Sequence, residues 1–186
     1  PLVLAFGGSQ GAQSINKSLL EIIVNKKNKD YQIIWAAGPE QYEKIKNKLL
    51  ELHMNIDEIQ NVKILPYIYN MEEVMNVCNL VVCRSGAMTI TEIAVVQKPA
   101  IFIPFPFATE NHQEYNARVL EGVGAAKIIL DKELNSEILS RTITEIIKDP
   151  DQLAQMAKNA ERIAIPNVED RIYEEIRKVV IKKVTG

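Results

Sequence analysis

The amino-acid sequence predicts an α/β protein, a doubly wound parallel sheet of about six strands with helices on both faces. Three observations carry this. Short apolar runs alternate with longer amphipathic segments along the whole chain. The runs VLAF, IIWA, LVVC and AIFI are apolar throughout, as strands buried on both faces require. Small-residue turns follow two of these runs, at the strand ends where open α/β sheets bind ligands.

Leu2–Phe6 is the first strand. Ala12–Asn25 is the first helix, with Ile15, Leu19, Ile22 and Ile23 along one face. Tyr31–Ala36 is the second strand, with Trp35 in the core. Gly38 and Pro39 interrupt the chain before a helix over Glu40–Leu52. Val62–Leu65 is the third strand, and Asn70–Val77 a short helix with Asn70 as N-cap. Leu80–Cys83 is the fourth strand, with its helix over Ala87–Val96. Ala100–Ile103 is the fifth, stopped by Pro104 and Pro106. Glu110–Glu121 is helical and Ala126–Leu130 the sixth strand. Helices over Ser136–Lys148, Pro150–Ile163 and Val168–Val184 close the chain. Crossovers in such a sheet are right-handed.

The 186 residues suit a single domain over 1–186, and 47% apolar with 25% charged residues is ordinary for a globular chain. A net charge of −2 lacks the basic footprint of a nucleic-acid binder. Cys78 and Cys83 have no metal-ligand spacing and read as structural thiols. No apolar run approaches the ~20 residues of a membrane span. The first residues, PLVLAF, already read as a buried strand, so the chain is expected to be a piece of something longer.

Two turns carry candidate chemistry. FGGSQGA, Phe6 to Ala12, lacks the Gly-Lys-Ser/Thr of a Walker loop and the glycine spacing of the dinucleotide fingerprint. It keeps the general form of a strand–turn–helix phosphate turn, with Gly7 and Gly8 free to take positive φ. RSGAMTITE, Arg84 to Glu92, is the second. Ser85 is its expected cap, and Gly86 and Ala87 leave the helix start uncovered. Thr89 and Glu92 share a face. A carboxylate there can accept from both hydroxyls of a ribose, or simply complement the helix dipole. PFPFATENHQEYNA, Pro104 to Ala117, presents His112, Gln113 and Asn116 at a helix start, either solvated or reading a sugar. One histidine beside Glu110 or Glu114 is a weak metal set. Asp149-Pro150-Asp151 has the letters of a metal motif, but an N-cap followed by proline explains it. His53 and the Lys26, Lys27 and Lys29 cluster read as surface.

In their order and spacing GGSQGA, SGAMTITE and HQEYNA resemble the carboxy-terminal domain of the MurG family of N-acetylglucosaminyltransferases, over essentially the whole chain. The resemblance implies one Rossmann-like half of a GT-B fold, the half that binds the donor UDP-N-acetylglucosamine. It implies that Ser9 and Gln10 lie near the diphosphate, and that Gly86, Ala87, Met88 and Thr89 offer a helix N-terminus to it. Glu92 would bind the ribose. Ile68 would meet uracil through its backbone, with Tyr67 beside it. Gln113 and Asn116 would read the sugar hydroxyls. The family often has glutamine where this chain has His112.

The resemblance further implies transfer with inversion to the lipid I acceptor, making lipid II for peptidoglycan. Neither metal nor cofactor is expected. The catalytic base and acceptor site would lie in an amino-terminal domain absent here, and the full-length protein would sit peripherally on the cytoplasmic face of the membrane. The helix over Val168–Val184 is expected to pack towards that domain. Alternatives are the soluble donor-binding subunit of a split lipid-linked glycosyltransferase, a UDP-N-acetylglucosamine 2-epimerase-like domain, and a non-catalytic nucleotide sensor.

Overall fold

A computed structural model describes residues 1–8, 10–164 and 173–178. Six strands, β1 (Leu2–Phe6), β2 (Gln32–Ala36), β3 (Val62–Leu65), β4 (Leu80–Cys83), β5 (Ala100–Phe102) and β6 (Ala126–Ile128), form one sheet in the order β3-β2-β1-β4-β5-β6. Every neighbouring pair is parallel. The connecting helices are α1 (Gln13–Val24), α2 (Pro39–Glu51), α3 (Met71–Val77), α4 (Ala87–Val95) and α5 (His112–Gly122), followed by α6 (Ser136–Ile147) and α7 (Pro150–Glu161).

Side chains alternate across the pleat and so build two cores. Val3, Ala5, Leu80, Val82 and Ile101 face one side, where Ile15, Leu19 and Ile22 of α1 pack with Leu139 and Ile143 of α6. Leu4, Phe6, Val81, Cys83 and Phe102 face the other, against Met75 of α3, Ile93 of α4 and Leu120 of α5. Trp35 is fully buried.

Element ends differ from the expected ones where caps decide them. Asn70 precedes α3 as anticipated, although its side chain donates to Glu73 at 2.7 Å instead of capping the backbone. Asp149 does cap α7, accepting from the Gln152 N–H at 2.9 Å, with Pro150 behind it. Ser85 does not cap α4. Its hydroxyl donates to the Gln113 carbonyl at 2.7 Å, and Gly86 takes the N-cap position. Helix α5 begins two residues later than expected, because Glu110 and Asn111 hold left-handed φ values of 52° and 54°. Residues 173–178 are helical, with Tyr173 and Ile176 exposed. The rest of the expected Val168–Val184 helix lies outside the described residues.

The order reverses between β1 and β4, the chain leaving β1 for β2 on one side and β4 for β5 on the other. Phe6 pairs with Cys83 at the carboxyl ends of these strands. The two small-residue turns therefore leave the sheet side by side, at the crevice where such sheets bind ligands.

Candidate functional site

The first wall of the crevice is the turn between β1 and α1. Gly7 has no room for a side chain, since a Cβ there would lie 2.2 Å from the Ala12 nitrogen. Gly8 takes φ +86° in open space. Gly11 takes φ +76°, and a Cβ would meet the Ala37 carbonyl at 2.0 Å. The turn closes when the Gly11 N–H donates to the Gly8 carbonyl at 3.0 Å. Asn16, buried in α1, ties this turn to the end of β2. It donates to the Ala37 carbonyl at 2.8 Å and accepts from the Trp35 indole at 2.9 Å.

The second wall is the turn between β4 and α4. The first intrahelical bond runs from the Ile90 N–H to the Gly86 carbonyl at 3.0 Å. The N–H groups of Ala87, Met88 and Thr89 precede it, so the helix offers them and its positive dipole end. Space around Gly86 is open. Cys83, just before the turn, is buried, and burial first, then the Cys78 and Glu92 charges, hold its thiol well above its usual range. It is an inert part of the wall.

The third wall is the loop from β5 to α5. The Phe105 N–H donates to Gln113 Oε1 at 3.1 Å, and Asn116 Nδ2 donates to the Ser85 carbonyl at 3.3 Å. These partners settle which way each amide faces. Gln113 is left with its NH₂ as a donor, and Asn116 with its oxygen as an acceptor. The pair thus offers one donor and one acceptor, which suits neighbouring hydroxyls. His112 Nδ1 lies 2.7 Å from the Thr109 carbonyl. Glu114 is committed to Asn111 and Arg118, hydrogen bonds that hold its carboxyl below the usual range. No group of three His, Cys, Asp or Glu side chains suited to a metal occurs among the described residues.

Arg84 joins the three walls. Its guanidinium donates to Asp131 at 2.5 Å, to the Ile103 and Pro104 carbonyls at 3.0 Å each, and to the Ser14 hydroxyl at 2.9 Å. The open cleft between the walls measures about 620 Å³.

Among the expected site residues, Gly86, Thr89 and Gln113 line this cleft. Asn116 stands behind Gln113, bonded to Ser85. Met88 is 74% exposed, and Ala87 is exposed at the head of α4. Glu92 lies one turn further along α4, exposed and outside the cleft lining. Gln10 is exposed, its carbonyl packed against Gly38. Ser9 lies outside the described residues. Ile68 and Tyr67 follow β3, two strands away from β1. The Ile68 side chain is buried, while its main-chain groups make no hydrogen bond among the described residues. Tyr67 is half exposed, edge-on to Tyr69 at 5.0 Å.

Sequence reading missed Ser14, Lys17, Phe105 and Asp131, which also line the cleft. Asp131 lies 47 residues from Arg84, and no spacing rule connects them. The available signal for Gly11 and Gly38 was their place beside strand ends, where positive φ is common.

Comparison with known proteins agrees with this geometry. Residues 2–172 match the glycosyltransferase family 28 C-terminal domain. A UDP-N-acetylglucosamine--N-acetylmuramyl-(pentapeptide) pyrophosphoryl-undecaprenol N-acetylglucosamine transferase of Acetivibrio thermocellus is 44% identical over 100% of this chain and 49% of its own length. The enzyme of that name from Thermoanaerobacter sp. is 39% identical over 96% of this chain and 48% of its own. The crystal structure of Acinetobacter baumannii MurG superposes with a TM-score of 0.80 at 30% identity, over 95% of this chain and 52% of that one. The chain spans about half the length of the relatives it matches. With its six-stranded switch-point sheet and paired helix starts, the chain belongs to the glycosyltransferase family 28 C-terminal domain family.

Proposed function

We propose that this chain is the donor-binding half of an inverting N-acetylglucosaminyltransferase, holding UDP-N-acetylglucosamine while the rest of a longer protein supplies the acceptor, lipid I. The observation that carries this is the pair of helix starts, α1 and α4, on either side of the cleft at the switch point. Each contributes free N–H groups and the positive end of a dipole, and together they suit a diphosphate.

Ser9 and Gln10 in the first turn, with Gly86, Ala87, Met88 and Thr89 in the second, hold the diphosphate. Glu92, one turn along α4, accepts from the ribose hydroxyls. The main-chain groups of Ile68, which make no hydrogen bond among the described residues, meet uracil beside Tyr67. Gln113 and Asn116 address the sugar with one donor and one acceptor, and His112 stands at the head of the same helix.

As the anomeric bond breaks, negative charge grows on the departing diphosphate. Preorganised N–H groups stabilise that charge without rearranging, which favours the transition state over the bound donor. The attacking hydroxyl and the base that takes its proton come from outside this chain. On this reading the chain is one domain, with 168–184 directed to the missing half. The full-length protein is a peripheral membrane enzyme of peptidoglycan synthesis. Among the described residues no helix is long and apolar enough to cross a membrane. An epimerase of similar fold needs carboxylates and histidines from both domains. Among the described residues the cleft lining has one carboxylate, Asp131, already committed to Arg84 and Ser14.

Calorimetric titration tests the reading. The chain is expected to bind UDP and UDP-N-acetylglucosamine in preference to other nucleoside diphosphates, and to transfer no sugar by itself. Glu92→Ala is expected to cost about 1.5–3 kcal/mol of UDP affinity, the worth of a charged hydrogen-bond acceptor. Equal affinity for all nucleotides, or turnover by the chain alone, would overturn it.

A further inference from the structure

Arg84 is 13% exposed at its side chain and Asp131 is 20% exposed. The guanidinium charge is used within the protein. Asp131 Oδ1 accepts both from Arg84, at 2.5 Å, and from the Ser14 hydroxyl, at 2.6 Å, and Ser14 in turn accepts from Arg84 at 2.9 Å. This closed triangle links the head of α1 to the turn that follows β6. Arg84 extends it to the loop after β5 through the Ile103 and Pro104 carbonyls, and the Phe105 ring lies 5.6 Å from the guanidinium carbon.

The next residue, Ser85, grips the far end of that same loop. Its hydroxyl donates to the Gln113 carbonyl, and its own carbonyl accepts from Asn116. Between the two grips lie Glu110 and Asn111, both left-handed. Two successive residues of that kind persist only where the surroundings over-determine them. The loop also sets the amide polarity of Gln113, because it is the Phe105 N–H that occupies Gln113 Oε1.

We propose that Arg84 is a positioning residue. Paired with Asp131, it anchors the loop that aims Gln113 and Asn116, and so sets how strongly the site prefers the sugar-bearing nucleotide over the bare one, without itself binding the diphosphate. The proposal rests on the donor-site reading. It distinguishes Arg84 from Lys17, the cleft-lining cation with no ion-pair partner among the described residues.

The test uses the whole chain and two variants, Arg84→Lys and Asp131→Asn. Each is titrated with UDP and with UDP-N-acetylglucosamine, alongside amide hydrogen exchange of the 103–116 segment. Native chain is expected to bind the sugar nucleotide more tightly than UDP. Both variants are expected to hold UDP within about threefold, the scale of a change that removes no direct contact. Their preference for the sugar nucleotide is expected to vanish, and the Phe105 amide to exchange at least about tenfold faster as the loop opens locally. In Asp131→Asn the released guanidinium is free to turn to the diphosphate, so any change in UDP binding there, within that threefold, is a tightening.

A parallel loss of both nucleotides, a preserved preference, or a native chain with no preference for the sugar nucleotide overturns the proposal. Native chain that binds neither nucleotide overturns the donor-site reading instead. In that case unchanged exchange at Phe105 in both variants also removes the anchoring role.

Discussion

Gly11 and Asn16 show how single residues hold the first wall of the cleft. Gly11 sits at φ +76° with the Ala37 carbonyl where a methyl would go, so Gly11→Ala must bend the turn or push β2 away. Strain of this kind costs on the order of 1–3 kcal/mol, and a thermal melt is expected to show a correspondingly lower midpoint. Asn16→Leu removes the partner of the buried Trp35 indole and of the Ala37 carbonyl. Two unmet buried groups make a loss of about 2–4 kcal/mol in denaturant titration the expected outcome. Neither role was legible beforehand. Gly11 lay inside a recognised motif, but its close neighbour is 26 residues on. Asn16 read only as a polar position in a helix whose apolar face was plain.

Elements were easier to read than their ends. Apolar runs and 3.6-residue periodicity depend on local spacing, so every strand and helix to α7 appeared near its expected place. Ends depend on individual side chains. Asn135 caps α6 by accepting from the Glu137 and Ile138 N–H groups at 3.0 and 2.9 Å. Asn135→Ala is expected to remove about 1 kcal/mol, lowering the melting midpoint by about 2–4 °C for a chain of this size. Ser85 looked like the same device one residue before Gly86. Its hydroxyl was instead taken by the Gln113 carbonyl, 28 residues on, a competitor that local reasoning does not contain. The start of α5 shifted because Glu110 and Asn111 turn left-handed to bring Gln113 under Phe105.

At the scale of the whole molecule, burial in the core on one face of the sheet sets the chemistry of both thiols. Burial pushes Cys78 from 9.0 up to about 11, with Lys98 opposing, and raises Cys83 well above its usual range. The native state therefore keeps protons that the unfolded chain gives up. The Cys78 contribution to stability is full below about pH 9 and falls as pH rises from there towards about 11, the sign that a raised native pKa requires. Buried Tyr31, raised by desolvation and then by Asp30, adds to the fall at still higher pH. Melts across that range are expected to show the decline, with Cys78→Ala flattening its first part. Both thiols are expected to stay unreactive to disulfide reagents at neutral pH until the chain unfolds.

The sequence by itself determined the layered α/β architecture, the two phosphate-type turns and the helix that carries Gln113 and Asn116. These follow from local spacing, and from glycine where backbone must turn or approach closely. Only the tertiary structure decided that the two turns adjoin at the switch point, since strand order is a matter of pairing and not of spacing. It alone decided that Arg84 is neutralised by Asp131 and bonded to Ser14, a contact across three segments that folding brings together. And it decided which group of each amide stays free, because the Phe105 N–H had already claimed the Gln113 oxygen and the Ser85 carbonyl the Asn116 NH₂.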